Sequence, residues 1–218
     1  MKTWLVPEAQ RRPTPNIYDS SKPEDHTHIH EPIACILHYT ADDFKPSLNT
    51  LTNPAAMASA HFIVDRDGST WQLAALEDRT WHAGGRTSAL HGMHDVNSRT
   101  VGIEIVNYGL LHRDGPGSAW KMWRGREVPD DRVFLDPKDP FKKAWEAYPE
   151  GQVVAVIKIL QQLSTFLPTI KVNPDYYLLG HQDVDPTRKL DPGPAFPWSR
   201  ARSEVKTPKV AAKVLDTI

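Results

Sequence analysis

Three residues in this chain have the types and spacing that a metal site requires. His38 lies near the end of an apolar run at residues 33–39, and His181 and Asp191 lie ten residues apart in a proline-rich loop. Zinc hydrolases hold the ion with three nitrogen or carboxylate ligands and leave a fourth position for water. The loop can fold back to join His181 to Asp191, and His38 joins them if the two preceding strands are neighbours. The alternative is a strand-end histidine that is only hydrogen-bonded within the fold.

The loop at residues 180–198 concentrates ionisable groups among prolines. Proline lacks a backbone N–H and fixes φ, so we predict neither a regular helix nor a central strand for this stretch. Besides His181 and Asp191 it contains Lys189, Asp183 and Asp185. We predict that the last two cap the loop or support the site rather than bind the metal.

Strands and helices must position these side chains. Short apolar or β-rich runs predict strands at residues 33–39, 60–64, 70–73, 100–106 and 175–179, the second and third forming a hairpin. Helices are predicted within residues 46–57, between Pro149 and Pro168, and within 196–205. The middle one has the i, i+3, i+4, i+7 apolar pattern. Strands between helices predict an α/β fold, a single domain with a central mixed β-sheet flanked by helices.

The domain organisation follows from where periodicity is present. Residues 1–32 are predicted to be an extended N-terminal arm, residues 33–205 the folded domain, and residues 206–218 a C-terminal tail. Within the domain, residues 108–148 have no clear period and are predicted to be a long irregular loop insertion. In the arm, His26, His28 and His30 alternate and could share one face toward a metal, but a solvated loop is the favoured interpretation.

Composition excludes several classes of function. The 26 basic and 27 acidic residues leave a net charge of −1, so no general attraction to nucleic acid or to an anionic membrane is expected. No stretch approaches the ~20 apolar residues of a membrane span. The single cysteine, Cys35, lies in an apolar run, which predicts a buried free thiol. We expect a monomer.

Five segments, in this order, resemble the zinc-dependent N-acetylmuramoyl-L-alanine amidases, the type 2 amidase or peptidoglycan recognition protein family. They are ILHYT at 36–40, SAHFIVDRDGSTWQL at 59–73, TWHAG at 80–84, VGIEIVN at 101–107 and GHQDVDPTRKLDPGPAFPW at 180–198. The resemblance spans roughly residues 33–200 and implies the fold of that family. The RKLDPGPAFPW version is most similar to the bacterial branch whose third metal ligand is aspartate.

The resemblance implies a role for each candidate residue. His38, His181 and Asp191 become ligands of Zn²⁺, the same three residues that ligand chemistry selects. Glu104 matches the catalytic glutamate of the GIE strand, and Lys189 the cation near the third ligand. Residues i and i+2 of an extended chain point the same way, so Lys189 and Asp191 can face one centre.

Alternatives remain for the two catalytic candidates. Glu104 could face solvent on a sheet edge, and Lys189 could be a solvated loop charge. Some members of the family have a tyrosine where this chain has Ala60. That difference argues against a tyrosine-assisted reaction and leaves Glu104 as the stronger candidate for proton transfer.

His82, Asn107 and His61 are predicted as substrate-binding residues. His82 lies in the WHAG segment and either contacts substrate or supports a metal ligand. For Asn107 and His61, a structural role at a strand is an equally good interpretation. In the insertion, tryptophans either stack on sugar rings or pin the loop to the domain; these are Trp120, Trp123 and Trp145.

The resemblance implies hydrolysis of the amide bond between N-acetylmuramic acid and L-alanine in peptidoglycan or muropeptides. A non-catalytic peptidoglycan-binding module is the alternative, but such a module typically lacks a metal ligand. A structural metal site would have four protein ligands and no open position. No apolar leader is visible in the sequence. We therefore expect a cytoplasmic enzyme or one that reaches the cell wall by a non-standard route.

Overall fold

The computed structural model describes residues 2–19, 22, 30–84 and 95–206. Its strands are β1 Ile17–Tyr18, β2 Ala34–Tyr39, β3 Phe62–Val64, β4 Thr70–Gln72, β5 Arg79–Thr80, β6 Thr100–Ile105, β7 Leu110–Leu111, β8 Trp120–Lys121, β9 Glu127–Val128, β10 Val133–Leu135, β11 Ala144–Glu146 and β12 Leu178–Gly180. Its α-helices are α1 Phe44–Thr52, α2 Val96–Arg99, α3 Glu150–Phe166, α4 Pro168–Val172, α5 Pro174–Tyr177, α6 His181–Val184 and α7 Trp198–Lys206. Short 3₁₀ helices cover Glu8–Gln10, Pro54–Ala56 and Asp130–Arg132.

A five-stranded sheet in the order β12-β2-β6-β3-β4 forms the centre of the domain. β2 is parallel to β12 and β6, and β3 is parallel to β6 but antiparallel to β4. This mixed sheet with flanking helices confirms the predicted α/β fold class. Because β12 pairs with β2, the strand before His181 lies beside the strand that carries His38, as the metal hypothesis required.

One face of this sheet is covered by α3 and α7. Side chains alternate between the two faces of a strand, so Leu37 and Ile103 share this face with every second residue of β2, β3 and β6. They pack with the apolar stripe of α3 in the largest core cluster, together with Cys35, Phe62, Val64, Val101, Ile105, Val153, Val156, Ile157, Leu160 and Leu163. The stripe confirms the predicted helix between Pro149 and Pro168, and Cys35 is a buried free thiol as predicted.

The opposite face carries the remaining residues of the same strands. Ile36 and Leu179 pack there in a small cluster with residues of α2 and α6. His38 and Glu104 follow on this face by the same alternation. The sheet therefore has one apolar face and one face that holds titratable groups.

Two of the local predictions around His181 were wrong. The strand predicted at residues 175–179 begins only at Leu178, and Pro174–Tyr177 is a helical turn. The loop at residues 180–198 starts with one helical turn, His181–Val184, although no helix was predicted there. Proline is tolerated at the start of a helix, and the turn ends before Pro186, so neither helix conflicts with proline geometry.

The insertion at residues 108–148 is more regular than predicted. β10, β11 and β7 form a second, three-stranded sheet, and β8 pairs with β9 in a hairpin. Tyr108, Leu111, Met122, Val128 and Ala144 give this region its own buried cluster. These strands have only two or three residues each, too few for a period to be recognised in the sequence.

The described part of the N-terminal arm follows the edge of the domain. β1 pairs antiparallel with β5, and Thr14 is buried with its hydroxyl 2.6 Å from the carbonyl oxygen of Leu51. Asn16 donates to the carbonyl oxygens of Asn53 and Ala58. His26 and His28 lie outside the described residues, as does most of the predicted tail. In the described part of the chain, no helix has the length and apolar character needed to cross a membrane.

Candidate active site

His38 and Glu104 are neighbours because of strand register. They are direct partners across the parallel pair β2 and β6, about 4.8 Å apart along the hydrogen-bonding direction. Both face away from α3, and both line the same cavity. Strand pairing alone therefore places a potential metal ligand beside a potential proton acceptor.

The loop after β12 brings the other two candidates to His38. His181 begins α6 directly after the last strand residue, and the backbone N–H of Gln182 donates to the carbonyl oxygen of Asp191 at 3.0 Å. The Gln182 side chain accepts from the N–H of Gly193, and the hydroxyl of Tyr148 donates to the carbonyl oxygen of Pro192. These bonds close the loop so that the predicted return of Asp191 toward His181 occurs.

The three candidate ligands converge on one point. His38 Nδ1 lies 2.9 Å from His181 Nδ1, and each nitrogen lies 3.0 Å from Asp191 Oδ2. All three side chains are buried, and these three atoms are close enough to share one metal ion. A set of two imidazoles and a carboxylate is the donor set of a catalytic zinc site with an open position.

The electrostatics of the cluster suit a cation. Burial lowers the pKa of His38 to about 4, although the nearby Asp191 acts in the opposite direction. The ring is therefore neutral at neutral pH and has a lone pair to offer. Burial would raise the pKa of Asp191, but contacts with the His181 and His38 rings outweigh it and hold that pKa below its usual range. Asp191 is thus an anion.

Glu104 and Lys189 complete the polar lining of the cavity, whose volume is about 480 Å³. Burial, with a smaller contribution from the charge of Asp191, raises the pKa of Glu104 to about 8, although Lys189 acts in the opposite direction. Glu104 Oε2 is inaccessible to solvent and has no hydrogen-bond partner among the described residues. A carboxyl group with a raised pKa at a cavity wall is suited to exchanging protons near neutral pH.

His82 lies against the three candidate metal ligands as well as at the cavity lining. Its Nδ1 is 3.0 Å from His38 Nε2, and its Nε2 is 3.1 Å from the hydroxyl of Thr100. Its ring stacks over Gly102, where any Cβ would come within 2.5 Å of the ring. Of the two interpretations of His82, the geometry supports contact with a metal ligand, while its edge also reaches the cavity lining.

The structure corrects the predicted substrate contacts of His61 and Asn107. His61 is 0% exposed; its Nε2 lies 2.9 Å from the carbonyl oxygen of Asp78, and its Nδ1 accepts from the N–H of Gly102. Asn107 is 1% exposed and bonds the backbone of Glu146 and Gly109. Both side chains are used within the fold, since each polar atom already has a backbone partner.

Other predicted residues divide between the loop and the cavity. The carboxylate of Asp183 accepts from the N–H of Gly180, and Asp185 accepts from Arg188, so both carboxylates hold the loop as predicted. Trp123, 58% exposed, lines the cavity and donates from Nε1 to the carbonyl oxygen of Ala41. Trp145 is buried against Gly193.

Most of the chain matches a known protein family. Residues 30–194 match the family model Amidase_2, described as N-acetylmuramoyl-L-alanine amidase. The chain belongs to this amidase family. The match covers the sheet, the candidate metal cluster and Glu104, and it confirms the resemblance found in the five sequence segments.

Individual relatives of this amidase domain are moderately similar. N-acetylmuramoyl-L-alanine amidase AmiD of Escherichia coli K12 is 30% identical over an alignment of 172 positions that covers 76% of this chain and 50% of AmiD. For 1,6-anhydro-N-acetylmuramyl-L-alanine amidase AmpD of Salmonella typhimurium LT2, the identity is 27% over an alignment of 222 positions, gaps included, that covers 94% of this chain and 93% of AmpD. The chain therefore spans about half the length of AmiD and nearly all of AmpD.

A solved structure supports the same fold. The E. coli AmiD complex with anhydro-N-acetylmuramic acid-L-Ala-D-gamma-Glu-L-Lys has a TM-score of 0.56 at 25% identity, over 82% of this chain and 66% of the AmiD chain.

Two residues of the candidate site were not predicted from the sequence. Thr100 and Gly102 lie on β6 at even spacing from Glu104, so alternation alone puts all three on the site face. Thr100 contacts His82, and Gly102 leaves room for its ring. The period-2 signal was available, but small residues carry no chemical signature that would have drawn attention to them.

Proposed function

We propose that this amidase domain hydrolyses the amide bond between N-acetylmuramic acid and L-alanine in muropeptides or peptidoglycan, using zinc held by His38, His181 and Asp191. The convergence of these three side chains beside Glu104 and Lys189, in a chain of this family, carries the proposal. The donor set fits zinc because it combines two imidazoles with a carboxylate and leaves a side open to the cavity.

When bound, zinc supplies Lewis-acid chemistry and lowers the pKa of water toward ~7. Glu104 acts as general base at a carboxylate oxygen and returns the proton to the leaving amine. Its raised pKa of about 8 makes the protonated form a usable acid near neutral pH. Lys189 lies on the cavity lining and stabilises negative charge that develops on the substrate carbonyl oxygen.

Ala60 restricts the alternatives for proton transfer. It is fully buried in a cluster with Leu51 and Ile63, so no hydroxyl group stands where some family members have tyrosine. In this proposal proton transfer therefore depends on Glu104.

The test is mass spectrometry of products from the zinc-loaded chain. It is incubated with a small anhydromuropeptide and, separately, with intact sacculi. We expect free stem peptides that begin with L-alanine, and the faster substrate identifies the preferred polymer length. Products cut within the glycan would contradict the proposed bond, and binding without any product would indicate the peptidoglycan-binding alternative.

The matched control for this experiment is Glu104→Gln, which keeps the side-chain size and removes the base. It should retain zinc by metal analysis and lose about 100- to 10,000-fold in kcat. Near-normal turnover would exclude Glu104 as the base.

The monomeric state stays a prediction and is checked by light scattering on the same samples.

A further inference from the structure

The geometry points to a positioning relay of hydrogen bonds from Thr100 to His82 to His38. This relay keeps the proton of the His38 ring on Nε2, so that Nδ1 offers a lone pair to the metal. We propose that His82 and Thr100 are positioning residues, distinct from the ligands themselves. This inference rests on the metal site of the proposed function.

The relay starts at the Thr100 hydroxyl, which has a single proton to give. Thr100 Oγ1 lies 2.7 Å from the carbonyl oxygen of Val96, a group that can only accept. The hydroxyl proton is therefore used, and Oγ1 must accept from His82 Nε2 at 3.1 Å. The carbonyl oxygen of Thr100, 3.4 Å from the same nitrogen, also can only accept. His82 thus carries its proton on Nε2.

The second step passes from His82 to His38. His82 is buried, and its described side-chain partners include no carboxylate, so a charged imidazolium there would be costly. The neutral ring with a proton on Nε2 has a lone pair on Nδ1. Since His38 Nε2 lies 3.0 Å from that atom, His38 must donate from Nε2.

The third step reaches the metal cluster. A neutral His38 with its proton on Nε2 presents a lone pair at Nδ1, the atom that lies 3.0 Å from Asp191 Oδ2 and 2.9 Å from His181 Nδ1. A lone pair facing a carboxylate oxygen at this distance is unfavourable unless a cation lies between them. Without the relay, His38 could hold its proton on Nδ1 and simply donate it to Asp191, which would compete with metal binding.

Gly102 gives the relay its position on the sheet. A Cβ at residue 102 would overlap the His82 ring, with contacts of 2.5–2.9 Å. The lack of a side chain at residue 102 therefore leaves room for the His82 ring between Thr100 on β6 and His38 on β2.

Two substitutions of His82 test the relay in the full chain. His82→Asn retains an acceptor oxygen near the position of Nδ1, whereas His82→Leu removes it at similar size. Measured by competition with a chelator, zinc affinity should fall about 10- to 100-fold in His82→Leu. It should stay within a few-fold of the parent in His82→Asn. If His82 only fills space, both variants lose equally, and that result would overturn the proposal.

A spectroscopic measurement and a milder pair of variants complete the test. Imidazole ¹⁵N spectra of the zinc-loaded protein should show His38 protonated on Nε2, with that proton coupled to His82. Protonation of His38 on Nδ1 would overturn the relay.

Thr100→Val should weaken zinc binding more than Thr100→Ser, which keeps the hydroxyl. Both substitutions are small, so they still test the relay if His82→Leu fails to fold. These readouts use zinc rather than hydrolysis. A protein with the predicted zinc behaviour but no amidase products would disprove the proposed function and leave the relay intact.

Discussion

The two faces of the central sheet are built from the same strands, but only one of them carries titratable groups beside its apolar residues. Toward α3 and α7, β2 and β6 present Leu37, Val101 and Ile103, which are fully buried among other apolar side chains. Toward the cavity, the same two strands present His38 and Glu104 as direct cross-strand partners. Leu37 and His38 are consecutive on β2, as are Ile103 and Glu104 on β6, so one step along either strand leads from the apolar face to the titratable group.

The comparison shows how a rigid site is placed on a fold. The apolar face stabilises the sheet through burial, which is worth roughly 25 cal/mol for each Å² of apolar surface removed from water. The polar face does the opposite, because burial raises the pKa of Glu104 and lowers that of His38. Packing on the apolar face therefore stabilises the sheet, and the sheet holds Glu104 and His38 in buried positions that are unfavourable for their charged forms. Four variants test this difference between the faces.

The largest effect is expected for Asp191→Asn on the polar face. The amide keeps the size of the side chain but loses the charge that faces His38 and His181. Zinc should be undetectable by metal analysis, and hydrolysis should fall to background. Asp183→Asn is the control, because Asp183 only caps the turn at Gly180, and it should keep its zinc. Full zinc in Asp191→Asn would remove Asp191 from the ligand set.

Ile103→Ala should damage the apolar face and leave the chemistry of the other face intact. Removing a fully buried side chain next to α3 should lower the free energy of unfolding by about 2–5 kcal/mol, measured in urea. The folded fraction should still bind one zinc. Val172→Ala, at an 80% exposed position, should change stability little. Loss of zinc from folded Ile103→Ala would show that the two faces are not separable.

Glu104→Gln should stabilise the metal-free protein at alkaline pH. The folded-state pKa of Glu104 is about 8 and the ordinary value is 4.5, so the folded state holds a proton between these values that the unfolded state has lost. This contribution to stability is complete below pH 4.5 and is lost as the pH rises through 8. Relative to the parent, the variant should gain on the order of a few kcal/mol between pH 5 and pH 9.

This prediction is checked by thermal unfolding of chelator-treated protein at a series of pH values. A stability difference that does not change between pH 5 and pH 9 would show that Glu104 titrates normally in the folded state. Glu150→Gln is a suitable control, because that carboxylate pairs with Arg200 at the surface and not with the metal cluster.

The smallest effect is expected at the rim of the polar face. Trp123→Ala removes an exposed ring that lines the cavity and is fixed to Ala41 by its N–H. KM for a muropeptide should rise about 2- to 10-fold, the range of one aromatic contact, with zinc unchanged. Phe141→Ala, in the same insertion and 85% exposed, should leave KM unaltered. If KM is the same in both variants, Trp123 only holds the β8–β9 hairpin against the domain and does not contact the substrate.

Much of this protein could be predicted from its sequence because the signals are local. Short apolar runs placed His38 and Glu104 in strands, and the apolar stripe of α3 identified the helix that covers the other face. The residue types of the candidate ligands and the order of five motifs were sufficient to predict the family.

Which polar residues meet depends on how the strands pair in the folded domain. The pairing of β12 with β2 joins residues far apart in the chain, and no local period encodes that pairing. His61, His82 and Asn107 were all predicted as substrate-binding residues. Backbone partners occupy His61 and Asn107, and of the three only His82 contacts a candidate ligand. Whether a buried polar atom is already satisfied depends on its neighbours in space, so the sequence could name the candidates but could not choose among them.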